Sequence, residues 1–407
     1  MKAAVWLLFA GACLAQGFAQ TFSQRGFLEV NSFAFPQTAP GDSGRFVFGA
    51  LLRYEASYKL GSSLRIAGGL DARTDTHRQV EREFGLSWQD RSVRRPSLGV
   101  RRLSAAWAKG KLTAEVGKQF VRWGKADILN PTDRFAPRDY LNVVETDFLP
   151  ITAARLTYGG QADSIDVVWS PRFTPSRTPL FGERWAALPQ EIVARDRGAR
   201  IPGGQQAGAR WNHIGRRVEY SLSFYEGYNH LPLIDAALVQ SFPPQVFIVR
   251  EFPKLRMYGF DSALPLGPVT IKGELAYFGS STPKADEYAL YVVQVERQAG
   301  EWFFVGGYAG EAVTNRRSLL NFSPDRGFTK AFLGRAGYTI DANRGLALDV
   351  AARRNGDGLW MRLEYSQALG AHLRATAGFT WIRGEPGDFL GQYQRNSHAW
   401  LLLRYSF

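Results

Sequence analysis

The most unusual stretch of the sequence, Gly117 to Tyr140, mixes charged and aromatic residues with turn formers. Its glycine and Asn-Pro positions favour tight turns. Aromatic rings beside paired charges are typical of a loop packed against a protein wall, with its ions paired to that wall. Such a loop could narrow a channel and influence which solutes pass. The residues that we predict to form this constriction are Trp123, Asp127, Asp133, Arg134, Arg138, Asp139 and Tyr140.

Two other interpretations of this stretch stay open. An ordered surface loop could cap the ends of strands without narrowing a channel. Alternatively, the carboxylates of Asp127, Asp133 and Asp139 could bind calcium, although their spacing matches no calcium-loop template. We prefer the constriction because a solvated loop does not need aromatic residues beside paired charges.

Residues that could support catalysis are few. Of the five histidines, only His398 has a serine beside it. Adjacent strand residues point to opposite faces, so Ser397 and His398 cannot exchange a proton directly. An acidic pair such as Glu55 and Asp71 could form an aspartyl-type site, but carboxylates that line a lumen form such pairs by chance. The sequence shows no metal-ligand spacing, so we predict no metal or cofactor site.

The elements that would position these residues are strands whose side chains alternate between apolar and polar. In the predicted strand 359–368, Leu359, Met361 and Leu363 share one face, because successive side chains of a strand point to opposite sides. This pattern recurs about eighteen times along the chain. The predicted strands are 24–35, 45–59, 64–73, 98–108, 112–122, 151–158, 164–170, 205–212, 218–228, 254–262, 269–278, 287–297, 301–311, 329–340, 346–354, 359–368, 372–382 and 396–407.

The connections between these strands distinguish a membrane barrel from a soluble sandwich, whose strands also alternate. Short links take turns with longer ones such as 123–150 and 171–204, and only 355–358 is short among the long links. Outer-membrane barrels have short periplasmic turns and longer outer loops. We therefore predict an all-β fold, a transmembrane antiparallel β-barrel over 20–407 with about eighteen strands, sixteen being the nearest alternative. No linker separates a second domain.

The amino end and the charge of the chain agree with the outer membrane of a Gram-negative bacterium. Residues 1–19 have the features of a signal peptide, with Lys2, an apolar core and a small-x-small site before Gln20. The only cysteine, Cys13, lies in this segment. The residues around it faintly resemble a lipoprotein cleavage box, so lipidation at Cys13 is a second interpretation of the amino end.

The net charge of +13 would suggest nucleic acid for a cytoplasmic protein. A secreted chain does not meet nucleic acid, so we assign the excess to anionic lipid or an anionic solute.

The last predicted strand, 396–407, ends in an aromatic residue. Tyr405 and Phe407 fall on its apolar face, and this ending resembles the terminal signal by which outer-membrane barrels reach the barrel-assembly machinery. An edge strand of a soluble sandwich is the alternative, but such strands are usually interrupted by charge or proline. We predict that these two residues form the assembly signal.

The polar faces of the strands would line an aqueous lumen, because ionised groups are costly in lipid. Basic side chains outnumber acidic ones on these faces, which favours anionic or neutral polar solutes. An ion-pair mesh that fills the barrel is the other interpretation. The lumen residues that we predict are Arg53, Arg65, Arg73, Lys272, Glu274, Arg335, Arg353, Arg362, Glu364 and Arg374.

The run Trp123-Gly124, Asn130-Pro131-Thr132-Asp133 and Pro137-Arg138-Asp139 resembles a segment of uncharacterised proteobacterial outer-membrane barrels, related in general plan to porins and alginate-export-type channels. In general porins the third loop follows the fifth strand and narrows the pore, so the resemblance implies this role for 123–150. Alginate-type exporters have strongly basic lumens, and the mixed lumen of this sequence departs from that pattern. The resemblance also implies an inner-membrane exporter as a partner.

These observations together predict a porin-like channel for passive diffusion or export of polar, including anionic, solutes, and no enzyme. A closed structural or adhesin-type barrel and an outer-membrane hydrolase are the alternatives. The predicted partners are outer-membrane lipid and lipopolysaccharide, the barrel-assembly machinery and the polar solute, but not nucleic acid.

Overall fold

The computed structural model is a closed β-barrel of eighteen strands, each paired antiparallel with the next strand along the chain. The barrel closes where the first strand pairs with the last, from Phe27 opposite Ser406 to Ala34 opposite Ala399. The predicted strand count of about eighteen is therefore confirmed. The structure describes residues 21–127, 129–186, 193–239, 245–318 and 323–407, and the predicted signal peptide lies outside them.

The barrel strands agree with the predicted ones to within a few residues. They are β1 (Phe22–Ala34), β2 (Phe46–Leu60), β3 (Leu64–Asp75), β4 (Leu98–Lys109), β5 (Leu112–Gln119), β6 (Ile151–Gly159), β7 (Asp163–Ser170), β8 (Gln206–Ile214), β9 (Glu219–Tyr228), β10 (Lys254–Leu266), β11 (Val269–Gly279), β12 (Glu287–Ala299), β13 (Trp302–Asn315), β14 (Ala331–Asp341), β15 (Arg344–Arg353), β16 (Leu359–Leu369), β17 (Leu373–Arg383) and β18 (His398–Ser406).

The outward face of the barrel is apolar. Phe46 and Phe48 on β2 are 69% and 52% exposed, because alternate side chains point away from the lumen. Near the short turns several outward residues are aromatic, as at Trp302, whose ring centroid lies 4.6 Å from that of Tyr338. Apolar bands bordered by aromatic girdles are typical of barrels that face lipid.

Short turns lie at one end of the barrel and the longer connections at the other. The short turns use left-handed glycines such as Gly110 (φ 60°) and Gly300 (φ 58°), a conformation that glycine adopts without steric cost. At the turn end, Phe407 continues β18 by exchanging two backbone hydrogen bonds of 2.9 Å with Gly26 on β1. Both Phe407 and Tyr405 are about half exposed on the outward face. Their role as an assembly signal stays a prediction.

The outer loops contain structure that the sequence prediction treated as loop. Val193–Arg200 pairs in parallel with Gln245–Glu251, which pairs antiparallel with Leu233–Val239. This small sheet joins the β7–β8 and β9–β10 connections. The prediction missed it because the pairing unites two loops far apart in sequence. Among the described residues no helix is long and apolar enough to cross a membrane.

The remaining outer elements are shorter. Leu86–Ser87 adds to the edge of β4, and Arg138–Asp139 pairs with Asp147–Phe148. Two 3-10 segments, Pro324–Arg326 and Gly391–Asn396, precede β14 and β18.

Candidate functional site

The connection between β5 and β6, residues 120–150, folds into the barrel, and we call it the lumen loop. Its first part packs on the inner wall around Trp123, whose indole N–H donates to Asp166 on β7 at 2.9 Å. Arg210 on β8 donates to the carbonyl oxygen of Trp123. Phe135 lies edge-on between Trp123 and Tyr225, at centroid distances of 5.2 and 4.9 Å. These buried rings form an apolar core between the loop and the wall.

Two carboxylates hold the backbone of the lumen loop against this wall. Asp133 accepts hydrogen bonds from the backbone N–H groups of Trp123 (2.5 Å) and Gly124 (2.7 Å). Glu274 on β11 accepts from the backbone N–H groups of Lys125 (2.5 Å) and Ala126 (2.6 Å). Buried amides that lack β-sheet partners are thus satisfied by charged acceptors, which give stronger hydrogen bonds than neutral ones.

The close approach at Gly124 explains why this position has no side chain. A Cβ at Gly124 would lie 2.7 Å from the Cβ of Asn130 and 3.0 Å from the Oε1 of Glu274. Any larger residue would displace one of these groups. The Trp-Gly pair of the sequence motif is therefore a packing requirement of the folded loop.

The last part of the lumen loop returns across the barrel to a different stretch of wall. The Asp147 carboxylate lies 3.4 Å from the Arg101 guanidinium on β4. Glu145 lies 3.5 Å from Arg362 on β16 and 3.6 Å from His398 on β18. Burial would raise the pKa of Glu145, but the adjacent His398 and Arg362 outweigh it and lower that pKa.

Asp139 lies at the junction of three outer loops. It accepts from Arg95 at 2.9 Å and from Arg177 at 3.1 Å, and Arg177 also donates to Asp90 at 2.8 Å. Burial raises the pKa of a carboxyl group, yet the two guanidinium groups hold the pKa of Asp139 well below its usual range. Burial raises the pKa of the neighbouring Tyr140 to about 12. Ion pairs thus connect the lumen loop to the β3–β4 and β7–β8 connections.

An open cavity of about 530 Å³ lies between the lumen loop and the opposite wall. Its lining contains six basic and seven acidic residues, so the positive surplus that we predicted for the lumen is not reproduced around this opening. The basic residues are Arg73, Arg95, Arg101, Arg177, Arg335 and Arg362, and the acidic ones are Asp71, Asp90, Asp127, Asp139, Glu145, Asp147 and Asp349.

The predicted constriction residues fall into two groups. Asp127 and Asp139 reach the open cavity, whereas Asp133, Arg134, Arg138 and Tyr140 border a second cavity of about 180 Å³. Trp123 is buried in the core against the wall. Most of these residues therefore hold the loop in place and do not face the opening.

The predicted lumen residues are mostly paired. Asp71 bonds both Arg53 (2.7 Å) and Arg73 (2.8 Å). The other contacts are Lys272 with Asp127 at 3.1 Å, Arg335 with Asp349 at 3.4 Å, Arg362 with Glu364 at 3.4 Å, and Arg65 with Ser57 at 3.2 Å. Arg353 pairs with Asp388 at 2.8 Å, and Arg374 lies opposite Arg404 on β18. Glu274 instead accepts hydrogen bonds from backbone N–H groups of the lumen loop.

Several residues at the opening were missed from the sequence. Arg101 was not predicted as a lumen residue because strict alternation places it on the lipid face. A bulge opposite Gly69 and Leu70 shifts the pairing past Arg101, and this side chain reaches the lumen beside Arg102. Glu145 and Asp147 lie in the irregular lumen loop, where no period could identify them.

A closed antiparallel barrel with a loop folded into its lumen is the architecture of outer-membrane porins. No family model matches the sequence, and no curated protein matches it. Solved structures do: a BenF-like porin from Pseudomonas fluorescens Pf-5 has a TM-score of 0.55 at 11% identity, over 95% of this chain and 98% of that chain. OccAB4 from Acinetobacter baumannii has a TM-score of 0.55 at 10% identity, over 94% and 97%.

A third similar structure is OccK5 (OpdH) from Pseudomonas aeruginosa, with a TM-score of 0.53 at 8% identity, over 95% of this chain and 98% of that chain. At such low identity the likeness shows the fold alone. The chain has the β-barrel fold of outer-membrane porins. The resemblance to alginate-export-type channels is not supported by these structures and stays a prediction.

Proposed function

We propose that this protein is a porin-like channel of the outer membrane that lets small polar solutes diffuse passively. The observation that carries the proposal is the open cavity of about 530 Å³ beside the lumen loop, inside a barrel with an apolar outer face. The lumen loop spans from the wall at β7–β12 to the wall at β4 and β16, and we propose that it narrows the passage. The porins among the similar solved structures support this reading of the fold.

The balance of charge around the cavity favours solutes that carry both signs or none. The basic side chains there have acidic partners nearby, as at Arg335 with Asp349 and Arg101 with Asp147. A zwitterionic solute can pair its negative group with an arginine and its positive group with a carboxylate. A polyanion would instead be repelled by the carboxylates of the lining. We therefore propose small polar solutes, weakly selected by charge, and leave the anionic class as the second choice.

Single-channel current of the folded protein in a planar bilayer tests the proposal. We expect discrete open steps, and a reversal potential close to zero under a salt gradient, because the cavity has a near-equal number of acidic and basic residues. Heat-denatured protein is the control and should give no steps. If the folded protein enters the bilayer without giving current steps, the channel proposal is overturned, and a closed structural barrel or a hydrolase is favoured.

A further inference from the structure

Three outer loops meet at a cluster of ionisable residues above the barrel. Asp42 comes from the β1–β2 connection, His77 follows β3, and Glu183 lies in the β7–β8 connection. The Nε2 atom of His77 lies 2.5 Å from Asp42 Oδ2 and 2.9 Å from Glu183 Oε2. All three side chains are largely buried, with 10%, 8% and 15% of their surface exposed. The cluster takes no part in the cavity beside the lumen loop.

One ring nitrogen facing two carboxylate oxygens is an arrangement that hydrogen bonding satisfies poorly. Nε2 carries at most one proton, so it can donate a straight hydrogen bond to only one of the two carboxylates. The three donor atoms all lie within 4.8 Å of one another. Ligands that bind one metal ion at about 2.0–2.2 Å converge in this way. Because imidazole favours zinc, copper and nickel over magnesium and calcium, the donor set points to a transition metal.

We propose that Asp42, His77 and Glu183 form a binding site for a divalent transition-metal ion, for which Zn²⁺ is the probe. The second oxygen of Asp42, Oδ1, accepts a hydrogen bond of 2.8 Å from the backbone N–H of Gly44. This bond orients the carboxylate so that Oδ2 faces His77, which is how residues around a metal usually fix its ligands.

Among the residues that the structure describes, Arg184 is the cation paired with the cluster, with its Nε 3.4 Å from Asp42 Oδ2. Its guanidinium is also held by the carbonyl oxygen of Gly44 (2.5 Å) and by Asn396 (3.3 Å), and it packs over the ring of Phe35. With neutral His77, two carboxylates against one guanidinium leave a net negative charge for a cation. A metal ion in the cluster would fasten the β7–β8 connection to the first two outer loops at the barrel mouth.

A second histidine pair offers a matched control. His213 lies 3.0 Å from Asp163 at the opposite end of the barrel, with one carboxylate instead of two. It therefore reproduces a histidine-carboxylate contact without a third ligand. Zinc binding that depends on the three-residue cluster must survive the loss of His213.

The experiment is a Zn²⁺ titration of the full chain, folded in detergent and free of a histidine tag, by calorimetry and by metal analysis after dialysis. We expect one ion per chain, bound in wild type and in H213Q. Binding in H77Q, D42N and E183Q should weaken by more than the roughly 10–100-fold caused by losing a residue that only orients ligands. Equal binding in wild type and H77Q, or no saturable binding at all, would overturn the site.

A measurement on the wild type alone tests the metal site even when a variant fails to fold. Co²⁺ bound by one nitrogen and two carboxylates should give visible absorption bands more intense than those of Co²⁺ in water. A spectrum identical to that of aqueous Co²⁺ would show that the ion is not bound and would refute the metal site. This result does not depend on conductance, so the metal-site proposal and the channel proposal are tested separately.

Discussion

The two parts of the lumen loop are held in different ways, although they are adjacent in the chain. Residues 121–141, the anchor segment, bury their aromatic rings and bond their backbone amides to Asp133 and Glu274. Residues 142–149, the return segment, keep Asp147 half exposed and use side-chain ion pairs at the cavity. Most anchor-segment residues therefore fix the loop against the wall, although Asp127 and Asp139 also reach the cavity, whereas Glu145 and Asp147 of the return segment line it through ion pairs.

The largest effect should come from removing the central ring of the anchor segment. Trp123→Ala leaves a cavity between Phe135 and the wall and deletes the indole hydrogen bond to Asp166. We expect it to lower the free energy of unfolding by about 3–5 kcal/mol, measured by urea unfolding in lipid vesicles. It should also make the open current noisier, because the loop loses its anchor.

A control for this variant is F84A, since Phe84 is 84% exposed on an outer loop. This substitution should change the free energy of unfolding by no more than about 0.5 kcal/mol. Equal effects of W123A and F84A would mean that the anchor segment does not hold the loop.

A smaller loss is expected at the carboxylate that caps the anchor segment. Asp133→Asn keeps an oxygen for the amides of Trp123 and Gly124 but removes the charge that strengthens both hydrogen bonds and faces Arg122 at 3.3 Å. We expect a loss of about 1–2 kcal/mol in the free energy of unfolding. The same change in the return segment, D147N, should cost less than about 1 kcal/mol because its ion pair is exposed. A larger loss in D147N than in D133N would reverse the comparison.

The barrel and the place of the lumen loop could be predicted from the sequence, and the details of the opening could not. Strand periodicity and link lengths are local, so β2 or β17 could be recognised without a structure. The Trp123 to Asp139 run was conspicuous because burying a loop demands unusual residue types. Glu145 and Asp147 are ordinary charged residues whose role depends on distant wall partners. The grouping of Asp42, His77 and Glu183 likewise exists only once three loops have folded.

Charge changes at the cavity should alter ion selectivity and leave stability almost unchanged. Asp147 and Arg335 suit this test because their side chains are 52% and 50% exposed. D147N removes a negative charge from the opening and should shift the reversal potential towards anions. R335Q removes a positive charge and should shift it towards cations. Unchanged reversal potentials in both variants would show that neither residue faces the path of the ions.

The smallest change is expected from mild acid, because Asp139 stays ionised. Its pKa is held below the usual value by Arg95 and Arg177, so the folded protein binds fewer protons at this position than the unfolded chain. Its stabilising contribution is present above the unfolded pKa of about 4 and disappears as the pH falls through the folded pKa. The difference in unfolding free energy between wild type and D139N should thus be constant from about pH 7 to pH 5 and shrink only below about pH 4. A difference that already shrinks near pH 6 would mean that the two arginines do not hold Asp139 as a carboxylate.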